Sequence, residues 1–199
     1  FMERMDFLAM GDAFLRKSKG APGKRKLTGR YHIMAVLTLL LFLFAGIESK
    51  AETKTWGGTT GTGLDWTSGA NWSGGTAPVA GDDIVFDTPG TISFSTLPAP
   101  VSYNSIKVLQ GDIVLSASSS TTFTLGGNAG ADFSVSAGAS LTIGTNANIT
   151  MAASASADIS GTVSTVAGSF YNAAAAGVTT DINGTFINGG SYNFGTSTA

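Results

Sequence analysis

From residue 92 onward, large apolar residues recur two positions apart, each pair split by one small or polar residue and bounded by Gly, Asn, Ser or Ala. The pairs are Ile92/Phe94, Ile106/Val108, Ile113/Leu115, Phe123/Leu125, Phe133/Val135, Leu141/Ile143, Ile149/Met151 and Tyr192/Phe194. A spacing of two puts both members on one face of an extended strand, so the pattern predicts brief strands with the pair inward and the intervening Ser, Thr or Lys outward. From Phe123 the pairs advance by 10, 8 and 8 residues, to positions 133, 141 and 149. That spacing allows only short turns. Helix competes poorly, because 94 of the 148 residues after Ala51 are Gly, Ser, Thr, Ala or Asn, which favour turns or strands or are too small to support an amphipathic helix. The one helix-like run, residues 173–176, is too short to stand alone.

Two all-β architectures meet this description: an antiparallel sandwich and a parallel β-helix, or β-solenoid. Sandwich hairpins favour two-residue Asn-Gly or Asp-Gly turns. Here Asn-Gly occurs only at 183–184 and 188–189, and the remaining corners read AGAS, GTNAN, SASAD and AAAAG. Small residues at corners let successive coils approach closely, so a right-handed parallel β-helix is expected. The phrases ISGTV at 159–163 and INGTF at 182–186 repeat imperfectly, as stacked coils do. Asn128, Asn146, Asn148, Asn172, Asn183, Asn188 and Asn193 are candidates for a ladder along the coil axis, although a single turn Asn is more often solvated.

The N-terminal third differs. Seven Lys and Arg lie between Arg16 and Arg30, and residues 33–47 read IMAVLTLLLFLFAGI without a charge. A basic segment, a 15-residue apolar segment too short for a standard membrane span and small residues at Ser49 and Ala51 together form a secretory signal. Residues 1–51 are therefore expected to be a leader with a hydrophobic signal helix, 52–90 a Trp-rich N-terminal cap, and 91–199 the solenoid repeats. An uncapped end at Ala199 leads to the expectation that the natural chain continues. The localisation expected is export to the cell surface or medium, with membrane contact only through the signal or anchor segment.

Charge narrows the chemistry further. The formal net charge of -2 averages a basic leader with an acidic body: from Glu52 onward two Lys face nine acids. Beyond Lys54 there is no Arg, Glu, His or Cys, which excludes Ser-His and Cys-His nucleophilic catalysis and thiolate or imidazole metal sites from the body. Nucleic acid is an unsuitable partner for a body with so few cations. No disulfide can form, so burial and backbone pairing alone must hold the fold.

All three Trp, at 56, 66 and 72, fall within 17 positions and are followed by Asp82 and Asp83. Such a cluster suits either a platform stacking on sugar rings or a plug over an open end of the core, and the plug is favoured because terminal repeats must be covered. Trp56, the spacing from Asp65-Trp66 to Asn71-Trp72, Gly75, Pro78 and Gly81-Asp82-Asp83 before Ile84-Val85-Phe86 resemble the opening segment of bacterial secreted and surface β-helical proteins, the autotransporter-like or adhesin-like repeat group. That resemblance implies a parallel β-helix, often within a longer chain carrying a sorting or anchoring domain, with cell-surface glycans or other surface proteins as partners.

Gly81-Asp82-Asp83 also matches a segment of β-helical pectin hydrolases, whose paired carboxylates cleave glycosidic bonds. The His and basic segment that accompany it there are missing here, so no catalytic residue is assigned. A polysaccharide-degrading activity would belong to a longer parent chain. Asp82, Asp83 and Asp87 are hard-oxygen candidates for calcium, and residues 126–133 approximate one copy of a calcium-binding nonapeptide. No other cofactor is expected. The function expected is an exported structural or adhesin-like module without catalysis; the alternative is a carbohydrate-binding or carbohydrate-active module using Trp56, Trp66 or Trp72 with Asp82 and Asp83.

Overall fold

The computed structural model describes residues 51–127 and 130–194; residues 1–50, where a leader and a signal helix at 33–47 are expected, lie outside the described residues, as do 128–129 and 195–199. Every predicted pair but the last falls within a strand, Phe194 lying one residue past the final described strand, and the strands stack in parallel. In chain order they are β1 (Thr53–Thr55), β2 (Gly61–Asp65), β3 (Asp83–Thr96), β4 (Val101–Tyr103), β5 (Ser105–Leu115), β6 (Thr121–Leu125), β7 (Phe133–Val135), β8 (Ser140–Ile143), β9 (Ala147–Met151), β10 (Ser156–Ile159), β11 (Thr162–Thr165), β12 (Phe170–Asn172), β13 (Thr179–Ile182), β14 (Thr185–Asn188) and β15 (Ser191–Asn193).

The stacking defines a parallel β-solenoid with three faces. One face runs through β1, the first part of β3 and β5, then β7, β10 and β13. A second runs through β2, the latter parts of β3 and β5, then β8, β11 and β14. The third is the five-stranded order β15-β12-β9-β6-β4. β3 and β5 are long because each turns the corner between the first two faces without leaving the ladder. Gly111 makes that corner in β5 at a φ of 81°, where a side chain would meet the carbonyl oxygens of Thr88 and Gly90 at 2.5 and 2.6 Å.

The 10, 8, 8 advance is one coil. Phe123, Phe133 and Leu141 sit on successive faces, and Ile149 returns to lie beside Phe123 in register. The repeated phrases are likewise stacked coils, since Ile159 pairs with Ile182 and Val163 with Phe186. Their central Gly161 and Gly184 occupy one corner, where a methyl group on Gly161 would run into the carbonyls of Ser136 and Ala139, and one on Gly184 into that of Gly161. Close approach of coils thus requires glycine there.

Inside, the pairs from Ile92/Phe94 to Ile149/Met151 join one continuous core from Trp56 to Ala173, whereas Tyr192, expected inward, is exposed and Phe194 is only partly buried against that core, because no further described coil stacks on theirs. Three coil segments depart from the simple pattern. Ala157/Ile159, Val163/Thr165 and Tyr171/Ala173 point inward with one small or hydroxylic member each, so their period-two signal is weak. The expected division at residues 90 and 91 falls inside β3, and stacking already begins at Thr53.

Among the described residues the asparagine ladder is confined to one step. Asn172 and Asn193 are register partners. Three others turn to local tasks: Asn146 adopts a φ of 61° and donates to the Ala117 carbonyl, Asn148 donates to Ser120 Oγ and the Thr121 carbonyl, and Asn188 accepts from Thr165 Oγ1; Asn128 lies outside the described residues. Corners in this solenoid differ in length, so Asn positions slip out of line from coil to coil. Among the described residues no helix is long and apolar enough to cross a membrane.

Candidate functional site

Between Asp65 and Asp83 the chain leaves the ladder, makes two short 3-10 turns and returns. This excursion carries Trp66 and Trp72. The indoles of Trp56, Trp66 and Trp72 are only 2, 0 and 3% exposed. Trp66 stacks on Phe123 with centroids 5.2 Å apart and meets Phe94 edge-on at 5.2 Å; Trp56 packs edge-on against Trp72 and Phe94 at 5.1 and 4.9 Å. Two of the three N–H groups are satisfied internally. Trp66 Nε1 donates to Tyr103 Oη at 3.1 Å and Trp72 Nε1 to the Trp66 carbonyl at 2.7 Å, while Trp56 Nε1 is buried without a partner among the described residues. Burial, partly offset by the Trp66 hydrogen bond, pushes the Tyr103 phenol well above its ordinary value. A sugar would find no open indole face here.

The three candidate calcium ligands separate. Asp82 is buried and accepts from the backbone N–H of Glu52 at 3.1 Å and of Val79 at 2.9 Å, tying both ends of the Trp segment together. Asp83 accepts from Ser105 Oγ at 2.6 Å, and Asp87, exposed, from Gln110 Nε2 at 2.7 Å. Asp82 is buried just before β3, while Asp83 and Asp87 share its outward side about 13 Å apart along the strand, and among the described residues no group of three or more His, Cys, Asp or Glu is placed to hold a metal ion. In the nonapeptide-like stretch, Asp132 is buried and accepts from the Ser156 backbone N–H at 2.8 Å; Asn128 and Ala129 lie outside the described residues.

Lys54 illustrates how the first coil manages a charge. It is 4% exposed on the inward side of β1, and its ammonium donates to Glu52 Oε2 at 2.7 Å and Thr76 Oγ1 at 2.8 Å. The bond from Lys54, with its charge, holds the Glu52 carboxyl below its usual range.

A groove of roughly 480 Å³ lies elsewhere, on the outer side of the first face, lined by Lys107, Ser134, Ser136, Asp158 and Ser160 among others. Lys107, Ser134 and Asp158 are register partners on β5, β7 and β10. In the sequence Lys107 is one of the two lysines after residue 51; its alignment with Ser134 and Asp158 depends on coil lengths of 27 and 24 residues, which no local pattern announces. Comparison of the chain with protein-family models, curated proteins and solved structures found no match.

Proposed function

We propose that this chain is an exported structural or adhesive module of a bacterial surface or secreted protein, a right-handed β-helix whose Trp segment caps its N-terminal end. The observation that carries the reading is the outward surface. On the second face Thr91, Asp112, Ser140, Thr162 and Thr185 form one register column; on the third, Ser102, Thr124, Thr150, Asn172 and Asn193 form another. Rungs stacked about 4.8 Å apart make these columns long, regular contact strips of hydroxyls and amides. Such strips suit a stalk or a repetitive partner better than a single reacting molecule. The resemblance of the Trp segment and the repeats to autotransporter-like and adhesin-like proteins points the same way.

The carbohydrate-platform alternative needs open indoles, and all three are covered by aromatic neighbours. One experiment addresses both readings: the full chain is produced in a bacterial host, the fraction reached by external protease is recovered, and its Trp emission is recorded with iodide and with soluble polysaccharides. Surface-accessible protein with emission that neither agent changes is expected. Retention inside the cell overturns export, and iodide quenching or a polysaccharide-induced shift restores the platform.

A further inference from the structure

We propose that the groove on the outer side of the first face binds an oligosaccharide bearing a single carboxylate, with Lys107 holding the carboxylate and Ser134 and Asp158 receiving hydroxyls of the neutral sugars beside it. The site goes beyond the structural reading and holds whether or not the chain is exported.

The groove volume of roughly 480 Å³ lies within the range of about 300–1,000 Å³ typical of small-ligand sites. Its lining joins hydroxyls and charges to the apolar Ala131, Val135 and Ala137, a mixture that suits the hydroxyls and the C–H faces of a sugar. Of the two cations after residue 51, Lys54 is buried and spent on Glu52 and Thr76, and the Lys54–Glu52 pair is the sole ion pair among the described residues. Lys107 therefore presents an unneutralised ammonium at the groove, in a body where acids outnumber lysines nine to two.

Register then orders the ligand. Ser134 is one rung from Lys107 and Asp158 two rungs, about 10 Å along the solenoid axis. Ser160 Oγ donates to Asp158 Oδ1 at 3.1 Å, which leaves Asp158 Oδ2 to accept from a sugar hydroxyl. The next rung places Asp181 beside Asp158. Two stacked carboxylates repel a second anionic sugar from that end, so the column, cation at one end and anions at the other, selects one acid followed by neutral residues.

The test titrates the full chain with aldotriouronic acid, one glucuronate joined to two xyloses, by calorimetry or ligand-observed NMR, with xylotriose and trigalacturonate as comparators. Saturable binding of the mono-acid is expected, with both comparators weaker. Lys107→Gln should weaken the mono-acid about fivefold, the upper value of a part-exposed charge pair, and leave xylotriose unchanged. Asp158→Asn should narrow the gap between the mono-acid and trigalacturonate. Both substitutions lie on the outer surface, and unchanged Trp emission verifies the fold. The proposal is overturned if the mono-acid does not saturate, if it binds no better than xylotriose, or if Lys107→Gln leaves it unaffected. None of these results touches the structural reading, which is judged by surface exposure and Trp emission.

Discussion

The first and last described coils are built from the same kind of residue and treat it oppositely. At the N-terminal end Trp56, Trp66 and Trp72 interlock with Phe86, Phe94, Tyr103 and Phe123 and are almost wholly buried. In the last described coil Phe186, Tyr192 and Phe194 also meet edge-on, at 5.2–5.9 Å, yet Tyr192 is 51% exposed, with Ile187 at 52% and Ile182 at 40%. Aromatic content therefore does not by itself decide how deeply these rings are buried. What distinguishes the first coil is the excursion between β2 and β3, which departs from the ladder, brings Trp66 and Trp72 into the aromatic cluster and is tied back by Asp82 to Glu52 and Val79. The last described coil has no such segment among the described residues.

The widest separation between the two ends should come from truncating one aromatic in each. Trp66→Ala removes a fully buried indole, opens a cavity and strips Tyr103 of its partner; a loss of about 4 kcal/mol is expected. Tyr192→Ala, half solvated already, should cost about 1 kcal/mol or less. Urea unfolding of the two variants measures the difference. Equal losses would mean that the exposed cluster is covered in solution and that the contrast between the ends is false.

Alkaline pH probes one phenol near each end. Burial pushes the Tyr171 phenol from 10.0 up to about 12, and the Tyr103 phenol also rises. A raised folded-state value means that the unfolded chain loses its proton first, so this stabilisation is complete below pH 10 and is lost as pH rises through about 12. Tyr171 alone should contribute about 3 kcal/mol of that loss. Tyr103→Phe and Tyr171→Phe should each flatten part of the stability fall above pH 10. If only Tyr103→Phe does so, the core around Tyr171 is wetter than its packing against Phe133 implies.

Sequence pattern revealed the strand spacing and coil period because both depend on local alternation, and ISGTV and INGTF mark an identical corner for the same reason. The groove was hidden, since Lys107, Ser134 and Asp158 meet only when two intervening coil lengths are known. The first rung was hidden as well. Thr53-Lys54-Thr55 has no apolar pair, and a buried Lys reads as exposed until Glu52 and Thr76 are seen to satisfy it. Asp82 was visible as an acid but not as a brace, because one of its backbone partners, Glu52, is 30 residues away and the other, Val79, lies inside the excursion itself.

The smallest expected effect asks what the N-terminal cluster uses its indoles for: shape or hydrogen bonds. Trp56 and Trp66 both pack edge-on against Trp72 and Phe94 but differ in the N–H, which is paired to Tyr103 in Trp66 and unpaired in Trp56 among the described residues. Gly58 belongs to this arrangement, because a side chain there would meet the Trp56 ring at 2.6 Å. Trp66→Phe removes contact area and also leaves a buried phenol without its partner, for a combined cost of about 3 kcal/mol. Trp56→Phe loses similar area but removes an orphaned donor whose burial itself costs about 1–3 kcal/mol. The two terms oppose, so Trp56→Phe should change stability by no more than about 1 kcal/mol in either direction. Thermal or urea unfolding of the pair decides the matter: near-neutral Trp56→Phe beside costly Trp66→Phe shows that hydrogen bonding distinguishes the two indoles. A costly Trp56→Phe means that its N–H is satisfied in solution by an ordered water, so that hydrogen bonding does not distinguish the two indoles.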